Sequence, residues 1–395
     1  MSRSDPKPWL ATVTDQTASH ALELFMVVTP DPDLLDGSEQ FASIANNARQ
    51  GLHEHGFEPA DITSGWLHFA EAPGWNWRET LSDIWGGTAN LPITALVQPP
   101  AHARHQCLLQ LRAAKSSNEG PNWRRVLGGP SVSLVSRSGV RHIHLMSVAP
   151  RAELDETASF TELADDMFAR AGQALATQGL SFSDVVRTWI HVDNIDKNYA
   201  AMNAARNRYF EAQQLARLAA STCVQGVPVG VNSPLVMDLY AVSSPQNLRM
   251  EALCPKTMAE APAYGVAFSR AMRVSEPGLD WLYLSGTASI DTDGRVVAVG
   301  NIAGQLDRMF QNVRSLLDQA DMGFSDVRSV TMYLKQASFL PEYQRAARAH
   351  GLVATVPCAV VVTDICRPEW LCEIELCACR ATSKMPRSSG RTVEG

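Results

Sequence analysis

A glutamate at position 373 stands where two other stretches of the same chain carry leucine and valine. Cys372-Glu373-Ile374-Glu375-Leu376-Cys377-Ala378 lines up with Cys107-Leu108-Leu109-Gln110-Leu111-Arg112-Ala113 and with Leu235-Val236-Met237-Asp238-Leu239-Tyr240-Ala241. A position that is apolar in two copies and acidic in one is a candidate for chemistry. A carboxyl held among apolar neighbours keeps its proton near neutral pH, which suits a general acid. The bland alternative is a glutamate paired with an arginine at a boundary between units. Glu375 is the control, because its matched positions, Gln110 and Asp238, are polar too. That pattern predicts a structural hydrogen-bonding role for Glu375. Cys366 lies on the approach to the same strand, seven residues before Glu373. It is either a buried small hydrophobe or a thiol placed at the site.

Other chemistry-bearing residues carry less. His142 and His144 share a strand face, and His53, Glu54, His55, His102 and His105 cluster in sequence, but no third ligand joins any of them at metal spacing. No metal site is expected. His68 and His191 hold matched repeat positions, with Tyr333 in the third copy, which favours an architectural role. Asp291-Thr292-Asp293-Gly294 opens like a calcium loop, yet Val299 and Ile302 follow where ligands should lie, so a hairpin turn is expected. Trp75-Asn76-Trp77 fits no pattern found in the chain.

The elements that must position these residues recur three times. Phe182-Ser183-Asp184-Val185 is followed by Trp189-Ile190-His191-Val192, and Phe324-Ser325-Asp326-Val327 by Thr331-Met332-Tyr333-Leu334. Gly56-Phe57 and Ala60-Asp61-Ile62, followed by Trp66-Leu67-His68-Phe69, form a third and more degenerate version. From the repeat Asp to the matched Leu is 50 residues (61 to 111), then 55 (184 to 239), then 50 (326 to 376). Upstream of each Asp, helical periodicity covers 38–54, 160–178 and 302–319, and strands are expected at 24–28, 143–148 and 282–285. A further helix is expected at 200–214. Each unit thus reads as strands, helix, strand, helix, strand: an α+β layer with helices on one face of a sheet. On the third closing strand Cys372, Ile374, Leu376 and Ala378 share the face suited to helices, and Glu373, Glu375, Cys377 and Cys379 share the other. The mixed second faces need cover. Three units around a pseudo-threefold axis supply it. The expected division is 1–120, 121–247, 248–382 and a disordered tail at 383–395, with linkers at 115–121 and 243–247.

Composition fits this picture. The chain has 395 residues, 45% of them apolar and 19% charged, which supports a large core and excludes a disordered chain. Lys plus Arg number 34 and Asp plus Glu 41, a net charge of −7, so there is no general attraction to nucleic acid or anionic lipid. No apolar run approaches the ~20 residues that cross a bilayer. The N-terminus has no apolar leader stretch, and a cytoplasmic location is expected. Eight cysteines occur without a CxxC pair, and reduced thiols are the simplest reading.

The repeated unit resembles the RidA/YjgF family, through Leu284-Ser285-Gly286-Thr287, 330–334 and Glu373-Ile374-Glu375. One chain with three units and one apparent site resembles, more specifically, the chorismatase and 3-hydroxybenzoate synthase family. The phrases that carry this are Phe268-Ser269-Arg270-Ala271, Ser285-Gly286-Thr287-Ala288-Ser289-Ile290, Tyr333-Leu334-Lys335, Asp364-Ile365-Cys366-Arg367 and Leu371-Cys372-Glu373-Ile374. Ala204-Ala205-Arg206-Asn207 and Ala220-Ser221-Thr222 add to them from the second unit. The resemblance covers roughly 125–380.

It implies three RidA/YjgF-like units forming a pseudo-trimer and a small-molecule substrate, chorismate, with no cofactor. Removal of pyruvate from the enolpyruvyl ether would leave 3-hydroxybenzoate, and 4-hydroxybenzoate is a further possible product. Glu373 would be the acid. Arg270 and Arg367, with Lys335, Tyr333, Phe268 and Ala288, would bind the substrate; Arg208 is a weaker candidate, better read as a surface ion pair. In the aromatising branch a cysteine stands where Cys366 does, and in the hydrolytic branch a small residue. The alternatives are a hydrolase giving a trans-dihydrodiol carboxylate plus pyruvate, a RidA-type enamine/imine deaminase, and a non-catalytic binding protein. Deaminases of that type hold a carboxylate with an arginine about 15 residues before the closing-strand glutamate, where this chain has Cys358. A monomeric pseudo-trimer or a low-order homo-oligomer is expected.

Overall fold

The computed structural model describes residues 7–16, 21–87, 91–115, 122–125, 130–151, 158–245 and 248–382. The linker expected at 115–121 falls mostly outside these residues, as do 246–247 of the second linker and the tail at 383–395.

The first unit comprises β1 (Trp9–Gln16), β2 (Ala21–Val28), α1 (Gly37–Glu54), β3 (Ile62–Phe69), α2 (Trp77–Trp85), β4 (Ile93–Val97) and β5 (Cys107–Ala114). The second comprises β6 (Asn122–Arg125), β7 (Ser131–Arg137), β8 (Val140–Val148), α3 (Phe160–Ala176), β9 (Val185–Val192), α4 (Ile195–Ala212), β10 (Ala220–Gln225), β11 (Val227–Pro228) and β12 (Leu235–Ser243). The third comprises β13 (Arg249–Leu253), β14 (Ala271–Glu276), β15 (Leu279–Leu284), β16 (Thr287–Ala288), α5 (Ile302–Gln319), β17 (Val327–Leu334), α6 (Leu340–His350), β18 (Cys358–Val362) and β19 (Cys372–Ala381). Three sheets result, ordered β1-β2-β5-β3-β4-β11, β10-β9-β12-β8-β7-β6 and β13-β14-β15-β19-β17-β18, with β16 beside β19. In every unit the middle strand pairs antiparallel with the closing strand and parallel with a strand reached through a helix. At five or six residues, that strand is too short to stand out by periodicity.

Local signals set the helix ends. Asp36, Ser159 and Asn301 accept backbone N–H bonds at the starts of α1, α3 and α5. Asn76 does the same for α2. This accounts for Trp75-Asn76-Trp77: Trp75 packs on Phe41 at 4.8 Å and Trp77 is buried in the first core. Asp291 accepts from Asp293 N and Arg295 N in a turn closed by an Ile290–Val296 bridge, the expected hairpin.

Each helix pair covers one face of its own sheet. On β19, Cys372, Ile374, Leu376 and Ala378 lie in the core under α5 and α6, while Cys377 and Cys379 join a second core between units. The polar closing-strand residues link the units in a ring. Gln110 of the first unit donates to Ser329 Oγ and accepts from Thr331 Oγ1 of the third, at 3.0 and 3.2 Å. Glu375 of the third accepts from Arg187, Thr222 and, at 2.9 Å, Trp189 of the second. Asp238 of the second accepts from Trp66 at 2.9 Å and Thr94 at 2.6 Å of the first. Matched residues thus make matched contacts around a pseudo-threefold axis.

A buried ionic cluster also joins all three units. Arg137 bridges Glu23 and Glu276, and Arg112 pairs with Glu23 and donates to Tyr283 at 3.1 Å. Burial works against both carboxylates, yet Arg137, with Arg112 at Glu23 and His142 at Glu276, holds them ionised; Glu276 sits at about 2. His142 and His144 belong here, His142 donating to or accepting from Tyr240 OH at 2.7 Å.

Candidate active site

Glu373 points out of β19 away from the helices, into a cavity of about 330 Å³ between the second and third units. Alternation along the strand puts it there, and Gly286 makes the room. A Cβ at 286 would lie 1.9 Å from Glu373 Oε1. Gly286 N donates to Ser221 O at 3.2 Å, and Ser285 Oγ accepts from Ser221 N at 2.8 Å, so the two units are joined beside the carboxyl. Glu373 is 4% exposed. Burial is the main influence on its carboxyl and Glu375 adds to it; with Arg270 and Arg187 opposing, the group is pushed up to about 8. It is therefore a neutral acid at pH 7.

Three arginines reach the same cavity. Arg206 comes from α4, Arg270 from the segment before β14, and Arg367 from the loop between β18 and β19. Arg270 donates to Ala259 O at 2.9 and 2.8 Å and to Tyr264 OH at 2.5 Å. Arg367 donates to Gly294 O at 2.7 Å, and Arg206 to Asn203 Oδ1 at 2.5 Å. None of the three forms a salt bridge among the described residues. Arg206 is 1% exposed, and its Nε has no hydrogen-bond partner among the described residues. Phe268 lies beneath Arg206 and Arg270, and Trp370 beneath Arg367. A buried cationic pocket with spare N–H donors fits a small dianion.

Cys366 lines the cavity and is half-buried. Burial, then the nearby Glu373, pushes its thiol up to about 12, against a hydrogen bond with Tyr199. The group is a thiol and not a thiolate at neutral pH.

Of the residues singled out in the sequence, Glu373, Cys366, Arg367, Arg270 and Phe268 meet at this cavity. Lys335, Tyr333 and Ala288 do not line it. Lys335 donates to Pro368 O at 2.9 Å and lies 3.7 Å from Asp364, so it braces the loop that carries Cys366 and Arg367. Tyr333 faces the axis beside Trp66, His68, Trp189 and Glu375. Ala288 points into the core under α5. Tyr333 is the cross-strand partner of Glu373 but lies toward the axis, Lys335 lies one residue past β17, and Ala288 ends the short strand β16; a phrase match does not resolve these placements. Arg208 pairs with exposed Asp165 at 2.8 Å, outside the cavity. Glu375 sits in the inter-unit ring, away from the cavity lining.

Tyr199, Asn203 and Arg206 were not selected as site residues. Their spacing of four and three puts them on one face of α4, and all three line the cavity. A polar stripe on a helix otherwise packed into a core was the available signal.

The family model described as Endoribonuclease L-PSP matches residues 147–241 and 258–380. Among curated proteins, Protein HMF1 of Saccharomyces cerevisiae is 25% identical over 118 residues, 27% of this chain and 88% of that one. A RutC family protein of Pyrococcus abyssi is 29% identical over 68 residues, 17% of this chain and half of that one. Among solved structures, a chorismatase crystal structure at 1.08 Å resolution superposes with a TM-score of 0.62 at 16% identity, covering 81% of this chain and 93% of that chain. That likeness is one of fold, extending over all three units. The family match spans more than half of the chain: it belongs to the Endoribonuclease L-PSP family, the family of the RidA/YjgF proteins.

Proposed function

We propose that this family member converts chorismate, removing pyruvate from the enolpyruvyl ether and leaving 3-hydroxybenzoate. The observation that carries the reading is a buried, protonated carboxyl, Glu373, facing three arginines that have no carboxylate partner among the described residues. Chorismate brings two carboxylates on a small ring, and its ether is opened by a proton on the vinylic methylene. Arg206, Arg270 and Arg367 would hold the carboxylates, and Glu373 would give the proton. The fold shared with a chorismatase adds support.

Protonation leaves a cationic carbon on the side chain. Water can add to it, consuming one water and giving pyruvate and a dihydrodiol. Alternatively the neighbouring ring hydroxyl attacks the ring carbon that bears the ether; that carbon–oxygen bond breaks and releases pyruvate, and opening of the resulting epoxide with loss of a ring proton gives a hydroxybenzoate without net water. Phe268, Trp370 and the neutral Cys366 thiol make that part of the wall poor in water-binding groups, which favours the internal route.

The test is incubation of purified protein with chorismate, following pyruvate with a coupled dehydrogenase and resolving products by chromatography. Pyruvate and 3-hydroxybenzoate in equal amounts are expected. A dihydrodiol product would move the protein to the hydrolytic branch, and no pyruvate at all would refute chorismate conversion.

A further inference from the structure

Two thiols from different units face each other in the wall of the Glu373 cavity. Val224, in β10 of the second unit, forms an isolated antiparallel bridge with Ile365, in the loop between β18 and β19 of the third. The contact continues on one side of the bridge, where Gln225 N donates to Asp364 O at 3.0 Å and Gln225 Nε2 to Asp364 Oδ2 at 3.5 Å. Antiparallel register fixes the pair on the other side. One residue earlier on β10 and one later on the loop, Cys223 stands opposite Cys366. Residues opposite one another in such a ladder have Cα atoms about 4.5–5.5 Å apart and side chains on one face. That lies within the window of about 4.4–6.8 Å that a disulfide needs.

Burial agrees with this placement. Val224 and Ile365 are fully buried and belong to apolar cores. By alternation Cys223 and Cys366 point the other way, and both line the cavity. Cys366 is half-buried and open to the cavity, whereas Cys223 is 7% exposed. Both are free thiols. Tyr199, Arg206, Arg367 and Glu373 are the titratable and charged groups around them, and burial pushes both thiols above their ordinary range. The resting pair therefore reacts slowly, through a small thiolate fraction.

We propose that Cys223 and Cys366 form a dithiol that a small anionic disulfide converts into a reversible bridge between the second and third units. The three arginines of the cavity draw an anionic oxidant to the thiols. The Cys366 thiolate attacks one sulfur of the oxidant, forming a mixed disulfide and releasing one small thiolate. Cys223 gives up its proton and attacks the Cys366 sulfur, releasing the second. The two protein thiols lose two electrons and two protons, and the oxidant is reduced to two small thiols. The bridge removes the Cys366 thiol from the cavity wall and fastens the loop that carries Arg367 to β10. Nothing in this chemistry depends on which reaction Glu373 performs.

Treatment of the full-length protein with dithiobis(nitrobenzoate), a dianionic aromatic disulfide, followed by non-reducing peptide mapping, tests it with no turnover involved. Exposed Cys254 should take up the reagent and shows that it is active. A peptide pair joined through Cys223 and Cys366, two hydrogen atoms lighter than the separate peptides, is expected, and dithiothreitol should release it. Cys223→Ser should instead retain a thionitrobenzoate group on Cys366, because the resolving thiol is missing. In the wild-type chain, an adduct kept on Cys366 without the cross-link overturns the proposal. So does a protein modified at Cys254 in which Cys223 and Cys366 both remain free.

Discussion

Glu373 and Glu375 are two residues apart on one strand face and have different surroundings. Glu375 accepts from an arginine, a threonine and a tryptophan of the neighbouring unit, whereas Glu373 faces a cavity and keeps its proton. Glu373→Gln should lower kcat by ~10²–10⁴, the usual range for one general acid, with the circular dichroism spectrum unchanged. In wild-type protein, kcat should fall as pH rises through about 8, because the protonated form is the active one. Linkage gives a second readout. The folded group titrates higher than the unfolded one, so stability is lost as pH rises from the ordinary carboxylate range to about 8. The melting midpoint of Glu373→Gln should match wild type near the bottom of that window and exceed it above the top. Cys366→Ala should admit water to the cavity and shift product toward the dihydrodiol, with chorismate consumption reduced only modestly. An unchanged product mix would mean that the thiol only fills space.

At the scale of elements, the site is a meeting of pieces that are each ordinary. β19 presents the acid, the turn between β15 and β16 leaves a gap at Gly286, α4 of the neighbouring unit brings Arg206, and the loop before β19 brings Cys366 and Arg367. The glycine is the narrowest constraint, since any Cβ there collides with the carboxyl oxygen. Gly286→Ala should displace the Glu373 side chain and lower kcat by about 10², comparable to misplacing a catalytic group by an ångström. A crystal structure of the variant should show the carboxyl rotated from the cavity. Wild-type turnover would show that the carboxyl position is not critical.

The whole molecule is held by polar contacts that cross all three boundaries. Glu375→Gln leaves Arg187 buried without a counter-charge, and should cost on the order of 3 kcal/mol while changing turnover less than Glu373→Gln does. Differential scanning calorimetry beside steady-state kinetics separates the two effects. Acid should unfold the units together. Burial holds His68 at about 4 and His191 at about 3, so the unfolded chain takes up protons there first, and stability declines as pH falls below the ordinary histidine range. Glu276, held near 2, adds a further loss as pH falls from the usual carboxylate range toward that value. Once the opposing gain from protonated Glu373 is complete, denaturant midpoints should fall continuously from the usual carboxylate range down to pH 3, in a single transition. Separate transitions for separate units would contradict a shared ionic centre.

Spacing and alternation in the chain determined the threefold repeat, the α+β layers, the helices at 38–54 and 302–319 and the two-faced closing strand. Those are local or periodic properties, and a recurrence of nearly equal intervals is visible without coordinates. The same comparison among copies singled out Glu373 and predicted the structural place of Glu375. Tertiary structure alone decided which unit faces which. It therefore decided that Tyr199, Asn203 and Arg206 of the second unit complete a site whose acid lies in the third, and that Lys335, Tyr333 and Ala288 turn elsewhere. It also decided the proton on Glu373, because a pKa is set by desolvation and by charges brought near through space, and residues 187, 270 and 373 are close only once the second and third units have packed together.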